Sequence, residues 1–355
     1  MTTIDLQADF GNVRDITVIG AGPVGLCTAF WAGMRQASAR VIDSLPEIGG
    51  QCTTLYPEKW IFDVPGLPKI LGRDLVEQLR KQIEPFDVPV HTETTAHEIA
   101  WEGEGEDRIV VLKTDRGELR SRAVIIAGGH GAFEPKRLPV SDVDLAPWEG
   151  RGVSYLVGDK QEFAGKKVVI VGGGDSACDW VLNLLDTAEK VTLVHRRDGF
   201  RAHEATVAQV EEAAATARVD LQVPYVIKEV QGNGSVQGVV LHHASDDAAE
   251  TVEVQCDALL LQLGFSTKLG PLKEWGLELE KNAIMVDPLF ATNLERVWAC
   301  GDITTFDGKI KLIATGFGEA ATAVAQAVHS FRPEMRLQPV YSTNSGVPGG
   351  AEGQP

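Results

Sequence analysis

The sequence contains no run of about 18 apolar residues, which removes a membrane-spanning helix from the expected elements. Its opening residues, MTTIDLQADF, carry neither the basic cluster nor the apolar stretch of a secretory leader, and a cytoplasmic protein is expected. Positive charge is in deficit: 33 Lys and Arg stand against 50 Asp and Glu, a formal net charge of −17. Such a chain repels phosphate backbones and anionic lipid, so neither nucleic acid nor a membrane surface is an expected partner. Cysteine is scarce. The five (Cys27, Cys52, Cys178, Cys256, Cys300) are odd in number and far apart, which fits reduced, buried thiols rather than a disulfide framework. What is present is ordinary globular material: 355 residues, 44% apolar and 23% charged. That length predicts two domains, each able to bury a full core.

A repeated unit organises the chain. Asp15 to Ser44 runs apolar strand, glycine turn, apolar helix and second strand, and Lys166 to Arg197 runs the same course. Gly20 precedes Asp43 by 23 positions, and Gly172 precedes His195 by the same 23. Two βαβ units in register predict an α/β protein with two Rossmann-like dinucleotide-binding domains. Arg108 to Thr114 and Glu118 to Ala127 read as strands around a turn at Asp115 to Gly117, and residues 219–261 as several short strands. The acidic stretch Glu98 to Asp107 reads as a solvated hairpin end. Gly316 to Phe331 reads as a helix rich in small residues, and the last 20 residues as no regular element.

The two glycine motifs carry the chemistry. In Gly20-Ala-Gly22-Pro23-Val-Gly25 the first glycine permits the tight turn and the second lets backbone approach a pyrophosphate. The third packs helix on strand, and the helix N-terminus faces the phosphates. Asp43, ending the second strand, is placed to accept hydrogen bonds from ribose hydroxyls. The second motif, Gly172-Gly-Gly174-Asp-Ser-Ala177, differs at the corresponding strand end: His195, Arg196 and Arg197 follow, with Arg201 four residues on. Guanidinium groups there favour a 2′-phosphate over a free hydroxyl. One site suited to a bare ribose and one to a 2′-phosphate point to FAD plus NADP(H). Val124 to Gly129 and the segment VWACGDI, which places Gly301 and Asp302 after a strand, fit a flavin site. The helix from Gly316 would turn its positive end toward that flavin.

The order GxGPxG, Asp43, Gly49-Gly50-Gln51, VIIAGG, GGGDSA, HRRDGFRA and VWACGD resembles the thioredoxin-reductase-like flavoproteins over nearly the whole chain. The resemblance implies a discontinuous FAD domain, residues 1–130 and 265–355, with an NADP(H) domain, 131–264, inserted in it. The Cys-x-x-Cys of thioredoxin reductases is missing from Tyr155 to Phe163. Cys52 lacks the partner of larger disulfide reductases, since Pro57 stands there, and Val24 replaces the bacillithiol reductase cysteine. A dithiol relay needs two thiols in bond reach, so it is disfavoured.

The stretch LYPEKWIFDVPGLPKI (Leu55 to Ile70), GDKQEFAGKKVVIVGGGDSACDW and the tail Tyr341-Ser342-Thr343 resemble the thioredoxin-reductase-like ferredoxin–NADP reductases. That resemblance implies Tyr56 against one flavin face and Tyr341 over the other. It carries Asp43, Gln51, Ala96, Phe133, Asp302 and Thr343 over as further FAD contacts. It also implies a homodimer that exchanges a hydride with NADPH and single electrons with ferredoxin or flavodoxin, with no obligatory acid, base or nucleophile. Competing readings are a disulfide reductase that uses external thiols, a flavin-binding redox sensor without turnover, and an NADPH oxidase or diaphorase. Because ferredoxins and flavodoxins are themselves acidic, a local basic patch is required, and Lys59, Lys69, Lys309 and Lys311 flank the flavin segments.

Overall fold

The computed structural model describes residues 9–136, 138, 143–246 and 250–348, apart from the side chains of 132–135, 265–268 and 345. The chain divides into two compact units, Met1–Ala132 with Thr267–Pro355, and Phe133–Ser266.

The first unit opens on β1 (Val13–Ile19), whose Ile16 and Val18 are fully buried. Pro23 begins α1 (Pro23–Met34), where its missing N–H would have been unpaired in any case. β2 (Ala39–Ile42) lies parallel to β1, with Ile19 opposite Ile42. A short helix, α2 (Gln51–Thr54), leads to the hairpin of β3 (Trp60–Ile61) and β4 (Ile70–Leu71), and then to α3 (Gly72–Ile83). β5 (Val90–His91), β6 (Ala96–Glu102), β7 (Ile109–Thr114) and β8 (Gly117–Ile126) follow, and the sheet order is β5-β2-β1-β8-β7-β6. The acidic stretch is the exposed end of the β6–β7 hairpin. The chain then runs through β9 (Ala132–Pro135).

The second unit contains β10 (Val153–Ser154), β11 (Lys167–Val171), α4 (Asp175–Leu184), β12 (Lys190–Val194), α5 (Glu204–Ala215) and β13 (Val219–Gln222). β14 (Tyr225–Gly232), β15 (Val236–His243) and β16 (Val252–Gln255) form a separate antiparallel sheet. β17 (Ala258–Leu261) returns to give the all-parallel order β10-β17-β11-β12-β13. Its apolar run is buried throughout, as strands covered on both faces must be. β18 (Phe265–Lys268) then pairs with β9.

The remaining segment adds β19 (Leu279–Glu280), β20 (Ala283–Met285), β21 (Val297–Ala299), β22 (Thr304–Thr305), α6 (Ile313–Phe331) and α7 (Ser342–Ser345). β21 joins the first sheet beside β8, with Val297 opposite Val124. α1 and α6 share a core of small residues, including Ala29, Ala32, Ala320, Ala323 and Ala327. Two expectations are corrected. α6 starts at Ile313, not Gly316, because the Thr315 hydroxyl accepts the Leu312 N–H at 3.3 Å and donates to Ile310 O at 2.8 Å, closing an earlier turn. Within the tail, expected to be irregular, Ser342–Ser345 form the one-turn α7. Among the described residues no helix is long and apolar enough to cross a membrane.

A buried charged cluster ties the sheet edge together. Arg40, on β2 and fully buried, donates to Asp9 O at 2.9 Å, Asn12 O at 2.7 Å and Arg120 O at 3.0 Å. It also lies 3.4 Å from the buried Asp9 carboxylate, which accepts from His91 Nε2 at 2.8 Å and from Arg14 Nε at 2.8 Å.

Candidate functional site

Each unit carries one glycine turn at the carboxyl end of its central parallel strands, where open α/β sheets bind ligands. In the first unit, a Cβ on Gly25 would stand 1.8 Å from Gly20 O, and one on Gly20, at φ +109°, would stand 2.5 Å from Ala127 O. Any larger residue would push the turn off the sheet. At Gly22, by contrast, an added Cβ would meet nothing closer than Gly50 Cα at 4.0 Å, so the face that backbone must offer to a pyrophosphate is open. Gly25→Ala is expected to lower dinucleotide affinity roughly tenfold to a hundredfold by overpacking this turn. Titration of the purified variant with FAD, followed by visible absorbance, measures the loss.

Asp43, buried at the end of β2, is held by two backbone donors: Ala21 N–H reaches Oδ2 at 2.6 Å and Leu45 N–H reaches Oδ1 at 2.8 Å. Burial pushes its carboxyl above the usual range, and the two N–H groups pull against that. Each oxygen retains a lone pair for a ribose hydroxyl. Gln51, on α2, brings Nε2 within 2.9 Å of His130 Nδ1, and the same ring nitrogen lies 3.6 Å from Asp302 Oδ2. The structure therefore gathers Gln51 and Asp302, 251 positions apart in the chain, around one ring nitrogen of a histidine that sequence reasoning passed over. Its only signal was its place directly after VIIAGG.

Tyr56 lies beside Cys52, with Oη 3.6 Å from Sγ, and burial drives the phenol well above its ordinary range. Ala96 is buried at the start of β6. Gly301 turns the chain after β21, its N–H held by Glu319 Oε2 at 2.7 Å. Tyr341 and Thr343 lie on the surface, and Tyr341 is 69% exposed. Phe133 falls on β9, and its side chain lies outside the described residues.

In the second unit, β11 turns through Gly172 into α4, whose N-cap is Gly174. A cavity of about 410 Å³ opens at this turn, lined by Gly174, His195, Arg196, Arg201, Tyr225 and Gln262 among others. An added Cβ at Gly174 would meet nothing within 4 Å, while Ala177 packs fully buried beneath the turn. Arg196, Arg197 and Arg201 are exposed, and among the described residues no carboxylate pairs with any of them. His195 lays its ring over Gly173 and stacks on Phe200 with centroids 5.4 Å apart. Burial lowers its pKa, a hydrogen bond with the Gly199 backbone pulls against that, and the charges of the three arginines add to the lowering. Its Nε2 is buried without a hydrogen-bond partner among the described residues, a place for a ligand atom. Unpaired cations, an orphaned ring nitrogen and an open glycine turn fit an anionic dinucleotide carrying an extra phosphate. Tyr225 was not foreseen as a lining residue, because β14 reaches the turn only by tertiary folding.

All five cysteines are free and buried. Burial pushes Cys52 and Cys178 up to about 11, and Cys27, Cys256 and Cys300 up to about 12, so none is a thiolate near neutrality. The lysine patch needs one correction. Lys309 is nearly inaccessible and paired with Glu319, so it offers no charge to a partner. Lys69, above the half-exposed Trp60 ring at 4.6 Å, and Lys311 are exposed, and Lys59 is half-buried.

The model of the family described as pyridine nucleotide-disulphide oxidoreductase matches residues 14–327. The chain is 45% identical over 346 residues to an Enterococcus faecalis protein named ferredoxin–NADP reductase, covering 96% of this chain and 100% of that one. It is 44% identical over 334 residues to ferredoxin–NADP reductase 2 of Listeria innocua, covering 94% and 98%. Among solved structures it is similar to Lactococcus lactis thioredoxin reductase, with a TM-score of 0.70 at 24% identity over 90% of this chain and 99% of that one. It is also similar to Staphylococcus aureus bacillithiol disulfide reductase, with a TM-score of 0.67 at 16% identity over 89% and 98%. At these identities the structural likeness bears on the fold alone, which is thioredoxin-reductase-like with two dinucleotide-binding α/β units. With 44–45% identity to ferredoxin–NADP reductases running nearly end to end, the chain belongs to that family, within the pyridine nucleotide-disulphide oxidoreductases.

Proposed function

We propose that this chain is an FAD-dependent ferredoxin–NADP⁺ reductase, with FAD on the unit holding Asp43 and NADP(H) on the unit holding Arg196, Arg197 and Arg201. The observation that carries this reading is the contrast between the two strand ends: a backbone-anchored carboxylate at one and, at the other, three exposed guanidinium groups that no carboxylate among the described residues pairs with. When bound, FAD supplies hydride acceptance and one-at-a-time electron release, which neither thiol nor acid–base groups of the chain provide. Asp43 orients a ribose, and Gly22 admits the pyrophosphate to the N-terminus of α1. Gln51, His130 and Asp302, with Tyr56 nearby, are the residues that would hold the flavin end. The buried, protonated cysteines leave no second redox relay, which favours direct transfer to an external one-electron carrier over disulfide reduction. The same reading includes a cytoplasmic homodimer, supported by resemblance to the family, and a ferredoxin or flavodoxin approaching Lys69 and Lys311.

The flavin-loaded protein assayed with NADPH against NADH, and with ferredoxin and flavodoxin against thioredoxin, tests this. Turnover is expected with NADPH and a ferredoxin or flavodoxin, and none with thioredoxin. Thioredoxin reduction without ferredoxin or flavodoxin reduction would overturn the proposal, as would a flavin that NADPH leaves oxidised.

A further inference from the structure

Glu319 stands about two turns into α6 and Lys309 in the loop before it, and both side chains are nearly inaccessible to solvent. One Glu319 oxygen accepts the Gly301 N–H at 2.7 Å, and the other is held by the Lys309 ammonium. That ammonium also lies 5.4 Å above the centroid of the Phe306 ring. Val24, from the first glycine turn, closes the same spot: added Cβ atoms on Gly301 and Gly316 would stand 3.2 Å and 2.5 Å from its side chain. Three segments thus meet here, namely the glycine turn, the Gly301–Asp302 turn and the start of α6. The ion pair locks the last two.

Stability alone does not explain such a pair, since buried ion pairs commonly hold a fold no better than apolar groups of the same shape. Position does. The carboxylate aims the turn that presents Asp302, while the ammonium cancels a negative charge that would otherwise oppose the positive end of α6. We propose that Lys309 and Glu319 are positioning residues of the flavin site, orienting the Gly301–Asp302 turn and setting the redox poise of the flavin by balancing their own charges. The inference rests on the flavin reading of this unit.

The test is an anaerobic titration of flavin-loaded wild type and variants against a reference redox dye, followed by flavin absorbance. In Glu319→Gln the amide oxygen still accepts from Gly301 while Lys309 keeps its charge. The equilibrium should move about tenfold toward reduced flavin, because an uncompensated buried cation favours the negative charge that reduction adds. Lys309→Met should move it the opposite way or loosen flavin binding, and Lys309→Arg should restore wild-type behaviour. The double change Lys309→Met with Glu319→Gln removes both charges and should return the equilibrium near wild type. Flavin-loaded variants that all titrate like wild type overturn the inference, as does a Glu319→Gln shift that the double variant retains. A wild type that binds no flavin overturns the flavin reading itself.

Discussion

Replacing Arg196 and Arg197 by alanine is expected to weaken NADPH binding roughly a hundredfold while changing NADH binding no more than about threefold. A charge-assisted hydrogen bond contributes about 1.5–3 kcal/mol, and two made by exposed groups at the lower end combine to the hundredfold. Neither arginine is engaged by a carboxylate among the described residues, so each is available to a phosphate, and its removal leaves no orphaned internal partner. The fold should therefore be undisturbed. NADH lacks the 2′-phosphate and has nothing to lose at these positions, whereas the glycine turn serves both nucleotides alike. Because the interaction is ionic and exposed, the wild-type preference for NADPH should also shrink as salt is raised. Calorimetric titration of both nucleotides against wild type and the double variant measures the effect. Equal losses for the two would remove these arginines from 2′-phosphate recognition.

Arg40→Met is expected to destabilise the first unit by about 3–5 kcal/mol, the range for breaking a buried pair by removing one partner. The guanidinium serves three backbone carbonyls and the Asp9 carboxylate at once, and methionine serves none. Arg40→Lys should fall between, since one ammonium cannot span donors set in a planar fork. Burial pushes the Asp9 carboxyl up, but the hydrogen bond from His91 and the charges of Arg40 and Arg14 outweigh it and hold it below its ordinary value. A depressed carboxyl stabilises the fold above its unfolded pKa, about 3.9, and that contribution disappears as pH falls through the lower folded value. The gap between wild type and Arg40→Met should therefore narrow below about pH 4. Urea unfolding at pH 7 and across the acid range, read on flavin-loaded protein, checks both size and sign. A stability unchanged at pH 7 would show that the cluster is incidental.

Both glycine turns, their strands and the sign of charge at each strand end were legible in the sequence, because each is a local demand. A turn this tight needs Gly20 and Gly25 at fixed spacing, and a covered parallel strand needs an apolar run such as Val168 to Val171. The start of α6 was read three residues late, since the signal lay in a threonine hydroxyl reaching back to Leu312 rather than in apolar periodicity. His130 was passed over because a single histidine after a strand has no pattern until Gln51 and Asp302 are brought to it.

Lys309 and Lys311 mark the boundary between the two kinds of information. They are two positions apart, identical in type and set in the same loop, yet one is buried against Glu319 and the other faces solvent. By itself the sequence determined an α/β chain with two dinucleotide turns, a carboxylate at one strand end and arginines at the other, and no cysteine pair for a relay. Only the tertiary structure decided which charges are spent inside the molecule, in the Lys309–Glu319 pair and the Asp9–Arg40–His91 cluster, and which remain for a ligand. Burial and pairing depend on partners distant in sequence, and the desolvation that makes a charge internal exists only once the chain has closed around it.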